Sequence, residues 1–374
     1  MSTFPLPPGS VIGILGGGQL GRMSAMAAAR LGYACHVYAP EADSPGMQVA
    51  AHRTVAPYED RDALARFAGA VSVVTFEFEN VPAAALEALA GLVPCRPGLA
   101  ALATCQDRVA EKAFLGRIGV PVAPWRAIET EADLHAAVAE IGLPAVLKTT
   151  RLGYDGRGQA VLREATDLAP AFARLAPRPL ILEAFVPFAA EISAIAARSE
   201  DGSLAVFDAV ENRHARHILD LSFAPARVDA AVGKAARAHV AAVAEGLGLV
   251  GVVALEMFLL PDGRLLGNEI APRPHNSGHW TMDACAASQF EQHIRAVAGL
   301  PLASPERHHD AVMKNLIGPE GLAAWPRLLR LPGVVPHLYG KAAARDGRKM
   351  GHANRLLPRG ALAGLPEREV LEGL

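Results

Sequence analysis

The chain has 374 residues, enough for two or three domains with substantial cores. Hydrophobic residues make up 51% and charged residues 20%, which excludes a disordered chain. A formal net charge of -2 and a pI near 6.7 leave no electrostatic footprint for a nucleic-acid polymer. No apolar run reaches the ~20 residues of a membrane span; the longest, 247–260, is interrupted by Glu256. The four cysteines, Cys35, Cys95, Cys105 and Cys285, form no CxxC and suit a reducing compartment. MSTFPLPPGS lacks a basic segment followed by an apolar one, so no secretory signal is expected and a cytoplasmic location is.

Residues 10–15 (SVIGIL) are predicted as a strand, followed by GGGQLGRM and an alanine-rich helix to about Arg30. Apolar runs at 34–39 and 70–76 repeat the strand pattern, and 83–90 reads as helix after EFENVP. Strands alternating with helices predict a doubly wound, Rossmann-like parallel sheet that ends near Pro97-Gly98. Residues 104–118 are predicted as one helix, capped by Thr104 and stopped at Gly119-Val120-Pro121. A helix over 131–141 leads into PAVLKTT, a strand that delivers Lys148. Residues 180–185, 191–198 and 204–212, with a turn at Asp201-Gly202, are predicted to form an antiparallel sheet. A long helix over 228–247 precedes a hairpin, 252–260 and 265–270, around the turn Asp262-Gly263. Residues 277–300 read as mostly helical. Short strands at 311–317 and 334–340 then predict a small C-terminal β-rich domain.

The chemistry concentrates in a few segments. LGYDGRGQ, residues 152–159, has three glycines directly after the Lys148 strand. Glycines let the backbone close on an anion, and a lysine adds a point charge for phosphate oxygens. Glu256 and Glu269 stand in otherwise apolar strands, where a carboxylate is costly unless paired or metal-bound. On adjacent strands they would bridge Mg²⁺, which takes one or two carboxylates and completes its shell with phosphates and water. The competing reading is a salt bridge to a neighbour such as Arg273. Asn268 points to the opposite face of a regular strand and joins the site only if the strand twists or bulges.

RPHNSGH, residues 273–279, suits anion recognition, with Arg273 gripping an oxyanion while His275 and Asn276 donate. A zinc reading lacks a third protein ligand. Glu183 ends an apolar run of the kind that adenine lies against. Glu191 reads either as a ribose-binding carboxylate or as the start of an exposed strand. Lys341, Arg345, Arg348 and Lys349 read either as a phosphate-monoester site or as a solvated loop. Gly16, Gly18 and Gly21 satisfy GxGxxG, with Glu41 at the spacing of a ribose-binding acid. That pattern is the basis of an alternative, a NAD-dependent dehydrogenase, although nothing downstream looks like a hydride-transfer site.

In chain order, GILGGGQLGRM, VTFEFENVP, GYDGRGQ, EAFVPFAAEIS, VENRH, GVVALEMF, NEIAPRPHNSGHWTMDAC, MKNLIG and GRKMGHAN resemble the N5-carboxyaminoimidazole ribonucleotide synthases, ATP-grasp enzymes of purine biosynthesis. The motifs span nearly the whole chain, and RPHNSGHW with GYDGRGQ is highly specific. The resemblance implies an N-terminal doubly wound domain (1–98), a central ATP-grasp domain (99–300, lid about 124–190) and a small C-terminal β-rich domain (301–374). It implies ATP held by Arg108, Lys148, Gly153, Tyr154, Asp155, Gly156, Arg157, Gly158, Gln159, Glu183, Ala184, Phe185, Val186, Glu191, His214, Asn268 and Glu269. Mg²⁺, or Mn²⁺ in its place, would sit on Glu256 and Glu269. The substrate 5-aminoimidazole ribonucleotide would meet Tyr154, Asp155, Arg157, Lys341 and Arg348, with Gln19, Glu77 and Asn80 lining the first domain's side. Arg273, His275 and Asn276 would hold bicarbonate or carboxyphosphate, and Asp155 or inorganic phosphate would take the amine proton. Ala184 departs from a frequent glycine, and Ala189-Ala190 from a usually charged pair. The implied reaction is ATP- and bicarbonate-dependent carboxylation by a cytoplasmic homodimer. The nearest rival is another ATP-grasp ligase, such as the formate-using glycinamide ribonucleotide transformylase, whose loop has SSGKGQ character. A non-catalytic nucleotide-binding regulator is disfavoured by the presence of both Glu256 and Glu269.

Overall fold

The computed structural model describes residues 4–152 and 158–374. The first unit contains β1 (Val11–Leu15), β2 (Ala34–Ala39), β3 (His52–Val55) and β4 (Val73–Phe76), all parallel, in the order β3-β2-β1-β4. Strand alternation sends Ile12, Ile14, Val37 and Val73 to one core and Leu15, Tyr38, Val74 and Phe76 to the other. Helix Gln19–Arg30 covers the first face and Arg61–Gly69 the second, as a parallel sheet buried on both sides requires. The sequence reading missed β3, because HRTV is an exposed edge without apolar alternation.

The helix expected over 104–118 is two helices, Leu99–Cys105 and Arg108–Arg117. Asp107 caps the second, its Oδ1 accepting from Val109 N and Ala110 N at 3.0 and 3.2 Å. Thr104 lies inside the first helix and donates to Ala100 O at 2.9 Å, so its helical backbone cannot serve as a cap.

A second sheet has β5 (Trp125–Ile128), β6 (Ala145–Thr149), β7 (Gln159–Leu162) and β8 (Leu180–Ala184), antiparallel, in the order β5-β8-β6-β7. Leu147, Leu162 and Leu182 face a core closed by helices Glu131–Ile141 and Leu168–Leu175. Lys148 is half-buried on the face opposite Leu147.

The third sheet has nine strands: β9 (Ala190–Arg198), β10 (Leu204–Val206), β11 (Val210–Ala215), β12 (Ile218–Ala224), β13 (Gly251–Leu259), β14 (Leu265–Ala271), β15 (His309–Ile317), β16 (Val334–Leu338) and β17 (Lys349–Pro358). Its order is β14-β13-β9-β11-β12-β15-β17-β16, with β10 beside β9. The single antiparallel sheet expected from 180–212 is therefore corrected. Residues 180–184 belong to the second sheet, 190–215 to the third, and 185–189 cross between them.

Helix Ala230–Gly246 packs Val240 and Val243 against Val253, Leu255 and Ile270. Helix Gln289–Ala298 returns to the first unit, where Ile294, Val297 and Ala298 complete the core of Ile12 and Val37. The C-terminal strands are not a separate sheet: β12 pairs with β15 from Leu221↔Lys314 to Ala224↔Ala311. No helix among the described residues is long and apolar enough to cross a membrane.

Candidate active site

The β13–β14 hairpin turns at Gly263, whose φ of +86° requires glycine. Its register makes Glu256 and Glu269 direct partners, then pairs Met257 with Gly267 and leaves Asn268 as the extra residue of a bulge. Asn268 and Glu269 are accordingly both half-exposed, between buried Gly267 and Ile270. The condition for Asn268 to join Glu269 is met. Neither carboxylate pairs with Arg273: Glu256 is 3.1 Å from His275 Nε2, and Glu269 is 3.5 Å from Arg108 Nη1.

Burial pushes the Glu256 carboxyl up, but the His275 hydrogen bond and the charges of His275, His214 and Lys349 outweigh it and bring it to about 2. Burial raises Glu269; Arg108 opposes the rise, while Glu256 and Glu79 add to it. A nearby like charge disfavours ionisation, and a cation bound between the two carboxylates would remove that cost. Two carboxylates and an amide oxygen are hard donors and fit Mg²⁺. Among the described residues no group of three or more His, Cys, Asp or Glu gathers as a metal cluster, so phosphate and water would complete the shell.

Facing the hairpin, Lys148 Nζ lies 3.1 Å from Glu183 Oε1. The other oxygen of buried Glu183 lies 3.4 Å from Lys112, a lysine the sequence reading passed over. Ala184 N donates to Pro124 O at 2.8 Å and Phe185 N to Pro144 O at 3.1 Å, fixing the crossing that continues through Val186. Glu191, the second residue of β9, is half-buried and bonds His214 Nδ1 at 2.6 Å. Burial lowers the His214 pKa, but the Glu191 bond and charge outweigh this and raise it. Gly158, at φ +72°, accepts from Thr149 N at 2.9 Å, and Gln159 opens β7 opposite Lys148. Gly153, Tyr154, Asp155, Gly156 and Arg157 lie outside the described residues.

Arg273 is clamped by Glu79 through Nε and donates to Pro274 O at 3.0 Å through Nη1. Burial raises the Glu79 carboxyl, but the Arg273 charge and bond bring it to about 2. His275 is held at both ends, by Glu256 and, at 2.8 Å, by Ser277 Oγ. Beside them the Asn276 amide is buried with neither its nitrogen nor its oxygen bonded among the described residues. Such a group costs about 1–3 kcal/mol unless a ligand meets it.

Glu77 occupies the helix end where the glycine pattern would seat a dinucleotide pyrophosphate. Its carboxylate accepts from Gly18 N and, at 2.7 Å, from Gly21 N. A Cβ at Gly18 would stand 2.5 Å from Glu77 Oε1, and one at Gly16 2.4 Å from its Cγ. These two glycines make room for the chain's own carboxylate. Gln19 is half-buried in the first turn of that helix, and Asn80 is exposed just past β4. Lys341 and Arg348 lie between β16 and β17, where Arg348 donates to Ala343 O at 2.8 Å. Burial, then the charges of Arg348 and Lys349, lower Lys341 to about 8. Cavities of about 630 and 700 Å³ are lined by other residues, Lys314 and Arg327 in one and Glu200 and Pro301 in the other. Glu79, Glu111 and Lys112 were missed because charges on a turn and on an amphipathic helix read as solvated faces.

Three domain families match in chain order: the ribonucleotide synthetase preATP-grasp domain over residues 10–106, the ATP-grasp domain over 113–290, and the phosphoribosylaminoimidazole carboxylase C-terminal domain over 311–361. Fold and site together define an ATP-grasp ligase. The N5-carboxyaminoimidazole ribonucleotide synthase of Brucella melitensis is 51% identical over 361 residues, 96% of this chain and 99% of its own. That of Bacillus subtilis is 44% identical over 354 residues, 94% of this chain and 93% of its own. A solved ADP complex of an N5-carboxyaminoimidazole ribonucleotide synthetase superposes with a TM-score of 0.91 at 43% identity, covering 96% of this chain and 95% of the other. The Aspergillus clavatus synthase, solved with ADP and 5-aminoimidazole ribonucleotide, superposes with a TM-score of 0.89 at 34% identity, covering 97% of each chain. The chain belongs to the N5-carboxyaminoimidazole ribonucleotide synthase family, ATP-dependent ligases of purine biosynthesis.

Proposed function

We propose that this chain joins bicarbonate to the exocyclic amine of 5-aminoimidazole ribonucleotide, using ATP and giving N5-carboxyaminoimidazole ribonucleotide, ADP and phosphate. The observation that carries this reading is the register pairing of Glu256 with Glu269 at a bulge that adds Asn268. Those residues would hold Mg²⁺, or Mn²⁺ in its place, which would neutralise phosphate charge during transfer. Arg108, Lys148 and the glycine loop take the phosphates, residues 183–186 the adenine, and Glu191 with His214 the ribose.

Bicarbonate lies between Arg273, His275 and the unpaired amide of Asn276. Its oxygen attacks the γ-phosphorus as the bond to ADP breaks, giving carboxyphosphate. The amine of the ribonucleotide then attacks the carboxyl carbon, or carbon dioxide released from it. Phosphate departs, and the amine proton goes to Asp155 or to that phosphate. Lys341 and Arg348 hold the 5′-phosphate, and Gln19, Glu77, Asn80, Tyr154 and Arg157 line the ribonucleotide. Water must be kept from the carboxyphosphate, which is labile. The working division is 1–98, 99–300 with its lid, and 301–374, in a cytoplasmic homodimer that needs no membrane.

The test is ADP release by purified protein with Mg²⁺ and bicarbonate, with and without the ribonucleotide. Release is expected to depend on the ribonucleotide. Release that ignores it, or that responds to glycinamide ribonucleotide and formate, overturns the reading.

A further inference from the structure

β14 is an edge strand, and its bulge breaks the ladder at the residues of the proposed cation site. Backbone groups at a bulged edge must find partners elsewhere. One helix supplies several of them. Arg108, Glu111 and Lys112 stand at i, i+3 and i+4 on Arg108–Arg117 and so share a face. Lys112 Nζ donates to Gly267 O at 3.2 Å and to Asn268 O at 2.8 Å. Glu111 Oε1 accepts from Ile270 N at 2.6 Å. From the loop that follows this helix, Pro121 O accepts from Gly267 N at 2.7 Å. The extra residue of the bulge is therefore gripped from outside the sheet on both sides.

Lys112 has a third contact, Glu183 at 3.4 Å, and Glu183 in turn meets Lys148. Three acceptors match the three N–H bonds of an ammonium. The side chain is only 1% exposed, a position lysine almost never holds without partners. Its contacts join two sheets: the bulge of β14 in one and the carboxylate of β8 in the other.

We propose that Lys112 is a positioning residue of this active site, which fixes the β14 bulge so that Asn268 and Glu269 share one side and ties that bulge to Glu183. It acts through those residues and touches neither ATP nor bicarbonate. This rests on the reading of Glu256, Glu269 and Asn268 as the cation site. Losing the ammonium should free the bulge while Glu183 keeps Lys148, so the cation-dependent part of nucleotide affinity should suffer most.

The experiment is calorimetric titration of ADP, in saturating Mg²⁺ and in EDTA, on the native chain, Lys112→Gln and Lys112→Arg. The native chain is expected to bind ADP more tightly with Mg²⁺; if it does not, the cation-site reading fails and not this inference. Lys112→Gln is expected to lose about tenfold or more of that tightening, with affinity in EDTA within about threefold of native. Lys112→Arg, which returns donors to both carbonyls, is expected to regain most of it. Native tightening in Lys112→Gln, or equal losses in both conditions, overturns the proposal. Should Lys112→Gln fail to fold, Lys112→Arg decides alone: folded with native tightening supports the proposal, and folded without it, or unfolded, overturns it.

Discussion

Like charges placed directly opposite on neighbouring strands repel, and Glu256 and Glu269 are such a pair. A cation bound between them, as proposed, would turn that repulsion into a binding site. Glu269→Gln should therefore leave the melting temperature unchanged or slightly higher while lowering turnover about a thousandfold or more. Full activity in a folded variant would remove the metal role. A second prediction concerns pH. Lys341 is lowered to about 8, so its ammonium is present below that pH and is lost as pH rises through it. The KM for the ribonucleotide should climb above about pH 8 in the native chain, and Lys341→Met should show a higher KM without that inflection. The identities of Glu256, Glu269, Arg273 and His275 were legible as charged or hydrogen-bonding groups in apolar or turn segments. The partner of Arg273 was not. Glu79 lies 194 residues away, and a pairing at that separation leaves no local pattern.

At the scale of elements, the hairpin was legible because Asp262-Gly263 is a strong turn signal between alternating apolar runs. The helix expected over 131–141 is found at Glu131–Ile141, where Thr130 and Asp133 form a capping box at its start. The bulge at Asn268 was legible only as a condition, since its hydrogen bonds come from a helix more than a hundred residues earlier. The break at 106–107 was not, because an apolar pattern runs through it. Asp107 is the consequence to test: Asp107→Ala should cost about 1 kcal/mol in denaturant unfolding, as lost caps do, and should also release Arg151, which Asp107 holds at 3.1 Å. An unchanged midpoint would show that the helix start is set by tertiary contacts alone. β17 escaped the sequence reading because buried His352 and Asn354 interrupt its apolar pattern.

For the whole molecule, the order of the three parts was legible from motifs spread along the chain. Their continuity was not. The C-terminal strands extend the sheet of the ATP-grasp part through β12 and β15, and helix Gln289–Ala298 fills the core of the first unit. A chain ending before β15 would bare the edge of β12 and the apolar side chains Leu221 and Phe223. Such a truncation is expected to be insoluble, and limited proteolysis should release no folded C-terminal fragment. A soluble truncated chain that binds ADP would contradict this continuity.

The most direct test of the whole account is to follow carbon-13-labelled bicarbonate by NMR with ATP, Mg²⁺, 5-aminoimidazole ribonucleotide and the native chain. A labelled carbamate signal should grow in step with ADP and should be absent with Glu269→Gln. ADP that accumulates while no label enters the ribonucleotide would contradict the account.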